Sequence, residues 1–171
     1  YCINPQNKIF LHSGKLPGRK KSKELVEAFS TIKDSNTLLI TGSLSSEFQS
    51  YLDIKIKENP NIIFCGWKSV EELREYMLGC DYLIQPGSLS NSFIDAICCG
   101  LPLILLNTPQ GKSLTSSGNG ILIQENSAHY LEKFLRNIND VNYKRLLENA
   151  EKCHKKYDYI EVARLLSLIH I

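Results

Sequence analysis

The sequence lacks any long apolar run: no stretch approaches the roughly 18 apolar residues that a membrane span needs. Its opening residues, YCINPQNKIF, lack the charged and apolar regions that make up a signal peptide. It also lacks a strong charge of either sign, since 20 lysines and arginines face 18 aspartates and glutamates. Nucleic-acid binders usually carry a larger basic excess, so we expect no nucleic-acid partner and no transmembrane segment.

Common metal and phosphate signatures are absent as well. The six cysteines form no CxxC pair and no spacing with histidine that is typical of metal ligands. Cys98 and Cys99 lie in an apolar run, where cysteine behaves as a small hydrophobic residue. The sequence contains neither a P-loop motif nor GxGxxG, which excludes phosphate binding through those two signatures. These absences predict a reduced, cytosolic protein without a metal.

What the sequence does contain is an alternation of short apolar segments with amphipathic ones. The short segments predict six strands: Ile9–Leu11, Thr37–Thr41, Asn61–Phe64, Asp81–Gln85, Leu103–Leu106 and Ile121–Ile123. Apolar residues at helical spacing predict helices over Ser22–Lys33, Leu44–Ile56 after a Ser43 cap, Ser69–Gly79 with Glu72 in a capping box, Asn91–Cys99, and from Ser127 onward. This alternation is typical of a Rossmann-like, doubly wound α/β domain, in which helices cover both faces of a parallel sheet.

The length of 171 residues suits one domain with a sizeable core. Because the chain begins without methionine and has little sequence before the first strand, we expect residues 1–171 to be a single domain excised from a longer protein. We expect no catalytic histidine. His12 ends the first strand as a structural residue, and three others lie on predicted helices without partners: His129, His154 and His170.

Two strand exits stand out, because ligands of doubly wound folds lie beyond the carboxyl ends of the strands. After the first strand, Gly14–Lys23 is predicted to be a loop rich in glycine and lysine. After the fourth, Pro86–Ser92 is a polar turn that leads into a helix N-terminus. Lysine side chains and free backbone N–H groups together suit a diphosphate. A solvated basic loop and a plain helix cap are the alternatives at these two places.

Four segments carry a family resemblance through their order and spacing. They are FLHSGKLPGRKKSKELVEAF (Phe10–Phe29), LLITGS (Leu38–Ser43), IIFCGW (Ile62–Trp67) and ELREYMLGCDYLIQPG (Glu72–Gly87). Together they resemble the C-terminal, donor-binding half of GT-B glycosyltransferases, of the retaining family 4 (group 1) type. The resemblance covers nearly the whole chain, from about Lys8 to Ile169.

The resemblance implies roles for individual residues. Lys15 and Lys20 stand where the family's arginine and lysine do, and would stabilise the departing nucleoside diphosphate as negative charge develops. The donor-binding residues that it implies are Gly14, Gly66, Trp67, Gly87, Ser88, Ser90, Asn91, Ser92 and Asp95. Asp95 would accept hydrogen bonds from the ribose hydroxyls. Trp67 either stacks near the base or packs into the core.

Three of these positions depart from the family pattern. Members often carry a glutamate that contacts the donor sugar, and its place falls on Gly87 here. A second family glutamate is replaced by Asp95, whose side chain is shorter. Lys15 keeps the charge of the family's arginine but loses its bidentate geometry. The departures put sugar recognition in question more than phosphate binding.

The function implied by the resemblance is the nucleotide-sugar-binding half of a hexosyltransferase, with a UDP-sugar as donor and neither cofactor nor metal. The acceptor, a sugar or lipid-linked glycan of cell-surface polysaccharide assembly, would bind through a missing N-terminal half, so this chain alone would be inactive. The final helix, Ile160–Ile169, would reach back to that half. The intact enzyme would be cytoplasmic and peripheral at the inner membrane face. A sugar-nucleotide epimerase of the same fold and a non-catalytic flavodoxin-like interaction domain are the alternatives.

Overall fold

A computed structural model of the chain describes residues 3–32, 36–89, 92–138 and 140–157. The strands are β1 (Lys8–Leu16), β2 (Asn36–Leu44), β3 (Ile62–Phe64), β4 (Tyr82–Gln85), β5 (Leu103–Leu106) and β6 (Gly120–Ile123). The helices are α1 (Ser22–Ser30), α2 (Ser46–Glu58), α3 (Val70–Leu78), α4 (Ser92–Cys98), α5 (Pro109–Leu114), α6 (Ala128–Arg136) and α7 (Asp140–Tyr157). A short 3-10 helix, Gly18–Lys20, precedes α1.

The strands form one six-stranded sheet in the order β3-β2-β1-β4-β5-β6, and every neighbouring pair is parallel. This is the doubly wound order, in which the direction of strand addition reverses between β1 and β4. The crevice at that switch point, beyond the carboxyl ends of the strands, is where ligands bind in such sheets. The predicted fold class, a Rossmann-like parallel sheet of about six strands, is confirmed.

Apolar side chains are buried on both faces of the sheet, as the continuous apolar strands predict. On one face Phe10 packs between Phe29 of α1 and Tyr82 of β4, with ring centroids 5.5 and 5.2 Å apart respectively. On the other face Leu83 belongs to a cluster that includes Phe93 of α4. Each fully buried large apolar side chain contributes roughly 1.5–3 kcal/mol, so the two clusters hold helices on both sides of the sheet.

The first two strands are longer than the sequence predicts. They remain in register through Leu16, which pairs with Leu44, so Lys15 belongs to β1 and the predicted loop from Gly14 to Lys23 is wrong at its start. Gly14 and Gly42 interrupt the apolar pattern of the two strands, but they do not interrupt the pairing of β1 with β2. Gly42, with a φ of 127°, comes so near β1 that a Cβ atom would lie 1.9 Å from the Gly14 carbonyl oxygen.

Three helices, α1, α2 and α5, also differ from the prediction. The cap of α2 is Ser45 rather than Ser43, since the Ser45 side chain accepts a hydrogen bond from the Phe48 N–H. Helix α5 is not predicted at all: its six residues are too few to show a periodic pattern, although Thr108 caps it and Pro109 begins it. Helix α1 ends at Ser30, while Lys33 lies outside the described residues.

The C-terminal part of the chain contains α6 and α7, as the apolar spacing from Ser127 onward predicts. The predicted final helix, Ile160–Ile169, lies outside the described residues. Among the helices that the structure describes, none is long and apolar enough to cross a membrane.

Candidate functional site

A cavity of about 330 Å³ opens at the carboxyl ends of β1 and β2. One wall consists of the ends of these two strands: Ser13, Gly14, Lys15, Thr41, Gly42 and Ser43. The other wall comes from the start of α3 and of α4: Trp67, Lys68, Leu73 and Ser92. Four of the residues predicted to bind a donor are therefore brought together in one cavity: Gly14, Lys15, Trp67 and Ser92.

Lys20 lies directly behind this cavity, against Gly14. A Cβ atom on Gly14 would sit 3.0 Å from Lys20 Cε, so only glycine leaves the lysine its present path. The lysine is 7% exposed, and its Nζ donates a hydrogen bond of 2.9 Å to the Ser88 carbonyl oxygen. Burial lowers the pKa of the Lys20 amino group, because a charged group loses its hydration there.

The turn after β4, at Gly87 and Ser88, packs against the 3-10 helix that carries Lys20. The Ser88 N–H donates to the Arg19 carbonyl oxygen at 2.7 Å. A Cβ atom on Gly87 would lie 2.1 Å from that same oxygen, so glycine is required for the close approach. Asn126, from the loop after β6, donates to the Pro86 carbonyl oxygen at 3.1 Å. Gly87 and Ser88 thus contact Lys20 through the backbone, and position 87 has no room for a sugar-binding side chain.

The cations around the cavity form no ion pair with an acidic side chain that the structure describes. Among the residues that the structure describes, no ion pair includes Lys15, Lys20 or Lys68. Lys15 is exposed at the rim, and Lys68 lies 5.5 Å from the centre of the Tyr76 ring. Three uncompensated ammonium groups around one cavity favour an anionic ligand, since their attraction is strongest where water is partly excluded.

The start of α4 faces the end of β1 across the cavity. The Ser13 hydroxyl lies 3.4 Å from the Ser92 hydroxyl, which joins the two walls. Two other predicted donor-binding residues, Ser90 and Asn91, lie outside the described residues. Of the predicted helix start, the structure therefore places Ser92 at the cavity.

Asp95 lies one turn further along α4 and is paired with Arg74 of α3. The Arg74 Nε and Nη2 donate to the same carboxylate oxygen, Asp95 Oδ1, at 3.0 and 2.7 Å. This pair raises the pKa of the Arg74 guanidinium. The arrangement links α3 to α4 and occupies one of the two carboxylate oxygens of Asp95, which is not among the residues that line the cavity.

Trp67 is 71% exposed, so it does not pack into the core and stands as an indole on the cavity wall. Its neighbour Gly66 has a φ of 75°, a conformation that favours glycine, and accepts a hydrogen bond from the Gly42 N–H at 3.0 Å. The turn after β3 thereby holds Trp67 beside the end of β2.

Three of the four histidines lie among the described residues, and His170 lies outside them. His12 is fully buried and structural, with hydrogen bonds to β4 and α1. His154 was expected to have no partner, but its Nδ1 bonds the Cys98 carbonyl oxygen, which links α7 to α4. The sequence could not reveal this contact because it depends on how two helices pack. Among the described residues, no group of three His, Cys, Asp or Glu side chains could hold a metal ion.

Sequence reasoning missed several residues of the cavity: Ser13, Thr41, Gly42, Ser43, Lys68 and Leu73. Ser43 lies two residues after the predicted strand Thr37–Thr41, and this position was the available signal for it. Lys68 directly follows Trp67, and a cation beside an exposed aromatic residue was a second signal. Leu73 is hidden in the helical pattern of α3, where nothing distinguishes it from a core residue.

Comparison with known proteins places this geometry in a family. The family model described as Glycosyl transferases group 1 matches residues 7–140. A comparison with curated protein sequences found no match.

Solved structures share the fold at low sequence identity. WaaG, a glycosyltransferase involved in lipopolysaccharide biosynthesis, is 21% identical with a TM-score of 0.75, covering 91% of this chain and 45% of WaaG. HepE from Anabaena, in complex with UDP-glucose, is 19% identical with a TM-score of 0.71, covering 94% and 49%. A protein assigned as a UDP-N-acetylglucosamine 2-epimerase in Listeria monocytogenes is 11% identical with a TM-score of 0.72, covering 98% and 47%. The chain thus spans about half the length of the structures it matches.

Proposed function

Because this chain belongs to the group 1 glycosyl transferases, we propose that it is the donor-binding half of a retaining hexosyltransferase. The donor is a nucleoside diphosphate sugar, and UDP is the favoured nucleotide, since HepE, of the same fold, was solved with UDP-glucose. The hexose passes to an acceptor hydroxyl held by the other half of the intact enzyme. The chain by itself binds the donor and is inactive, because it spans only about half of the solved structures.

The observation that carries this proposal is the state of Lys20. The residue is only 7% exposed, its ammonium group is part-buried against the Ser88 carbonyl oxygen, burial lowers its pKa, and no carboxylate among the described residues forms an ion pair with it. Burying an unpaired charge is costly, and a bound diphosphate would offset that cost. Lys15 and Lys68 add positive charge at the cavity rim.

These groups suit the departure of a nucleoside diphosphate. As the bond from the sugar to the diphosphate breaks, negative charge grows on the phosphate oxygens. Lys20, Lys15 and the backbone N–H groups at the start of α4 would stabilise that charge in place. The cavity of about 330 Å³ lies at the lower end of the range for small-molecule sites, which fits half of a cleft completed by a second domain.

Trp67 and Asp95 would supply the remaining donor contacts. The exposed Trp67 offers a surface for the base, and Asp95 keeps its second carboxylate oxygen for the ribose hydroxyls. For the intact enzyme, we propose that it acts in the cytoplasm, in the assembly of cell-surface polysaccharide, on a sugar or lipid-linked acceptor.

A sugar-nucleotide epimerase is the second candidate, because the Listeria protein shares the fold. The products of the full-length enzyme with a UDP-sugar would separate the two.

An amide chemical-shift titration of the chain with UDP, GDP and ADP tests the proposal. We expect one nucleotide, UDP, to shift the amides of Lys15 to Lys21, Gly66, Trp67 and Ser92 in a saturable way. The variant Lys20→Met should weaken that binding at least about tenfold, or about 1.4 kcal/mol, because it removes the buried cation. Lys57→Met, on the exposed face of α2, is the matched control and should bind like the unmodified chain. A folded chain that responds to none of the three at millimolar concentration would overturn the proposal in favour of an interaction domain.

A further inference from the structure

The two central strands, β1 and β4, stop pairing before they reach the candidate site. The paired register of β1 with β4 consists of Phe10 with Tyr82 and Leu11 with Leu83. On its other side, β1 stays paired with β2 for nine residues, through Leu16. Beyond Leu11, two side chains span the gap between β1 and β4 where backbone pairing has stopped.

His12 provides the first bridge. Its Nδ1 lies 2.9 Å from the Ile84 carbonyl oxygen of β4, and its Nε2 lies 2.8 Å from the hydroxyl of Ser22, the first residue of α1. Since a carbonyl oxygen only accepts, Nδ1 carries the proton, and Nε2 of the neutral ring accepts from Ser22. The ring is fully buried, which keeps it neutral. His12 therefore ties β4 to a residue only two positions beyond Lys20.

Gln85 provides the second bridge in the opposite direction. From β4, its Nε2 donates to the Ser13 carbonyl oxygen of β1 at 2.6 Å. The side chain is fully buried, and its other amide atom, Oε1, has no hydrogen-bond partner among the described residues. The hydrogen bond to the Ser13 carbonyl oxygen is thus the polar contact that the structure describes for this buried amide. Ser13 in turn bonds Ser92 at the start of α4.

The two bridges lie on opposite faces of the sheet and lead to the two walls of the proposed phosphate site. His12 leads through Ser22 to Lys20, and Gln85 leads through Ser13 to Ser92. We propose that His12 and Gln85 are positioning residues that set the width of the β1–β4 crevice, so that Lys20 and Ser92 bind the same diphosphate. The inference rests on the proposed function and adds to it two residues that contact no ligand.

Two mild variants test the bridges. Ser22→Ala removes the hydroxyl that His12 accepts from, and Gln85→Met keeps the volume of the side chain but removes its N–H donor. Each should weaken UDP binding about fivefold or more, as measured by amide titration, because each breaks one hydrogen bond that holds a phosphate-binding group. Binding of uridine, which has no phosphate, should not change.

A buried tether far from the site serves as the control. Asn59 is fully buried, and its Nδ2 donates to the Phe29 and Ile32 carbonyl oxygens at 2.8 and 3.0 Å. Asn59→Ala should lower the unfolding temperature without changing the affinity for UDP. A positioning role for the bridges predicts lost affinity at temperatures where the variants are still folded, which a purely structural role does not.

A double-mutant cycle tests whether Ser22 affects UDP binding through Lys20. On the Lys20→Met background, Ser22→Ala should weaken UDP binding no further, since the group it positions is already gone. Unchanged UDP affinity in Ser22→Ala and Gln85→Met, or effects of Ser22→Ala and Lys20→Met that simply add, would overturn the inference while leaving the proposed function intact. A wild-type chain that fails to bind UDP would overturn both.

Discussion

Lys20 shows how much one residue can depend on glycines elsewhere in the chain. A Cβ atom on Gly14 would lie 3.0 Å from Lys20 Cε, which is tighter than an ordinary contact, and a Cβ atom on Gly87 would lie 2.5 Å from the Lys20 carbonyl carbon. A side chain at position 14 would therefore shift the end of the lysine, and one at position 87 would displace its backbone. The glycine at position 87, which departs from the family pattern, is thus explained by close backbone packing against Arg19 and Lys20.

His12 makes folding stability depend on pH. Burial lowers its pKa from 6.5 to about 4, and the nearby charge of Lys20 adds to the effect. Between these values the unfolded chain binds a proton that the folded chain does not, so stability decreases as the pH falls from 6.5 towards 4. The slope for this one group is at most about 1.4 kcal/mol per pH unit.

Urea unfolding at pH 7, 6 and 5 measures this dependence. We expect the chain to lose up to about 2 kcal/mol between pH 7 and 5, and His12→Asn to lose much less, because asparagine does not titrate. Replacing the exposed His129 with asparagine should leave the pH dependence unchanged. The carboxyl of Glu27, whose pKa is lowered by Tyr51 and Lys55, affects stability only at more acidic pH. Equal slopes for the chain and for His12→Asn would contradict the assignment.

At the scale of elements, α3 is the best-defined helix from local sequence. Ser69 accepts from the Glu72 N–H at 3.2 Å, and the Glu72 side chain accepts from the Ser69 N–H at 2.8 Å. This reciprocal pair satisfies two N–H groups at the helix start. It also fixes the backbone just after Trp67 and Lys68, so the cap shapes one wall of the cavity.

Ser69→Ala should lower the free energy of unfolding by about 1 kcal/mol, the usual cost of losing an N-cap. Urea denaturation measures the change. Ser50→Ala is the control, because Ser50 lies within α2 and its hydroxyl only bonds the Ser46 carbonyl oxygen one turn earlier. If both variants lost the same stability, the cap would not be what distinguishes Ser69.

At the scale of the whole molecule, the net charge is small, but three lysines are concentrated at one place. The net charge is only +2, yet Lys15 and Lys68 line one cavity and Lys20 lies against Gly14 of its wall, without ion pairs to acidic side chains among the described residues. The local field, rather than the overall charge, therefore supports the proposal of an anionic ligand.

Salt should consequently weaken UDP binding several-fold between about 0.05 and about 0.5 M NaCl, because the rim lysines are exposed to screening. Uridine binding should change little over the same range, since uridine carries no charge. Amide titrations at the two salt concentrations make the comparison. A UDP affinity that is independent of salt would show that the lysines contribute no electrostatic attraction.

The sequence by itself determined the elements that depend on near neighbours. Apolar strands, the capping box at Ser69 and the Pro86–Gly87 turn all depend on residues close together in the chain, and together they predicted the doubly wound sheet and the edge where we propose that a ligand binds. The order of the motifs also identified the family that the comparison confirmed.

Only the tertiary structure decided how the site is assembled. The contact of Lys20 with Ser88 joins residues 68 positions apart, and the bridges from His12 and Gln85 join residues 72 positions apart. The strand position of Lys15 likewise depends on the pairing of β1 with β2 through two glycines that read locally as a loop. Such contacts arise when distant segments pack, and no local pattern encodes them.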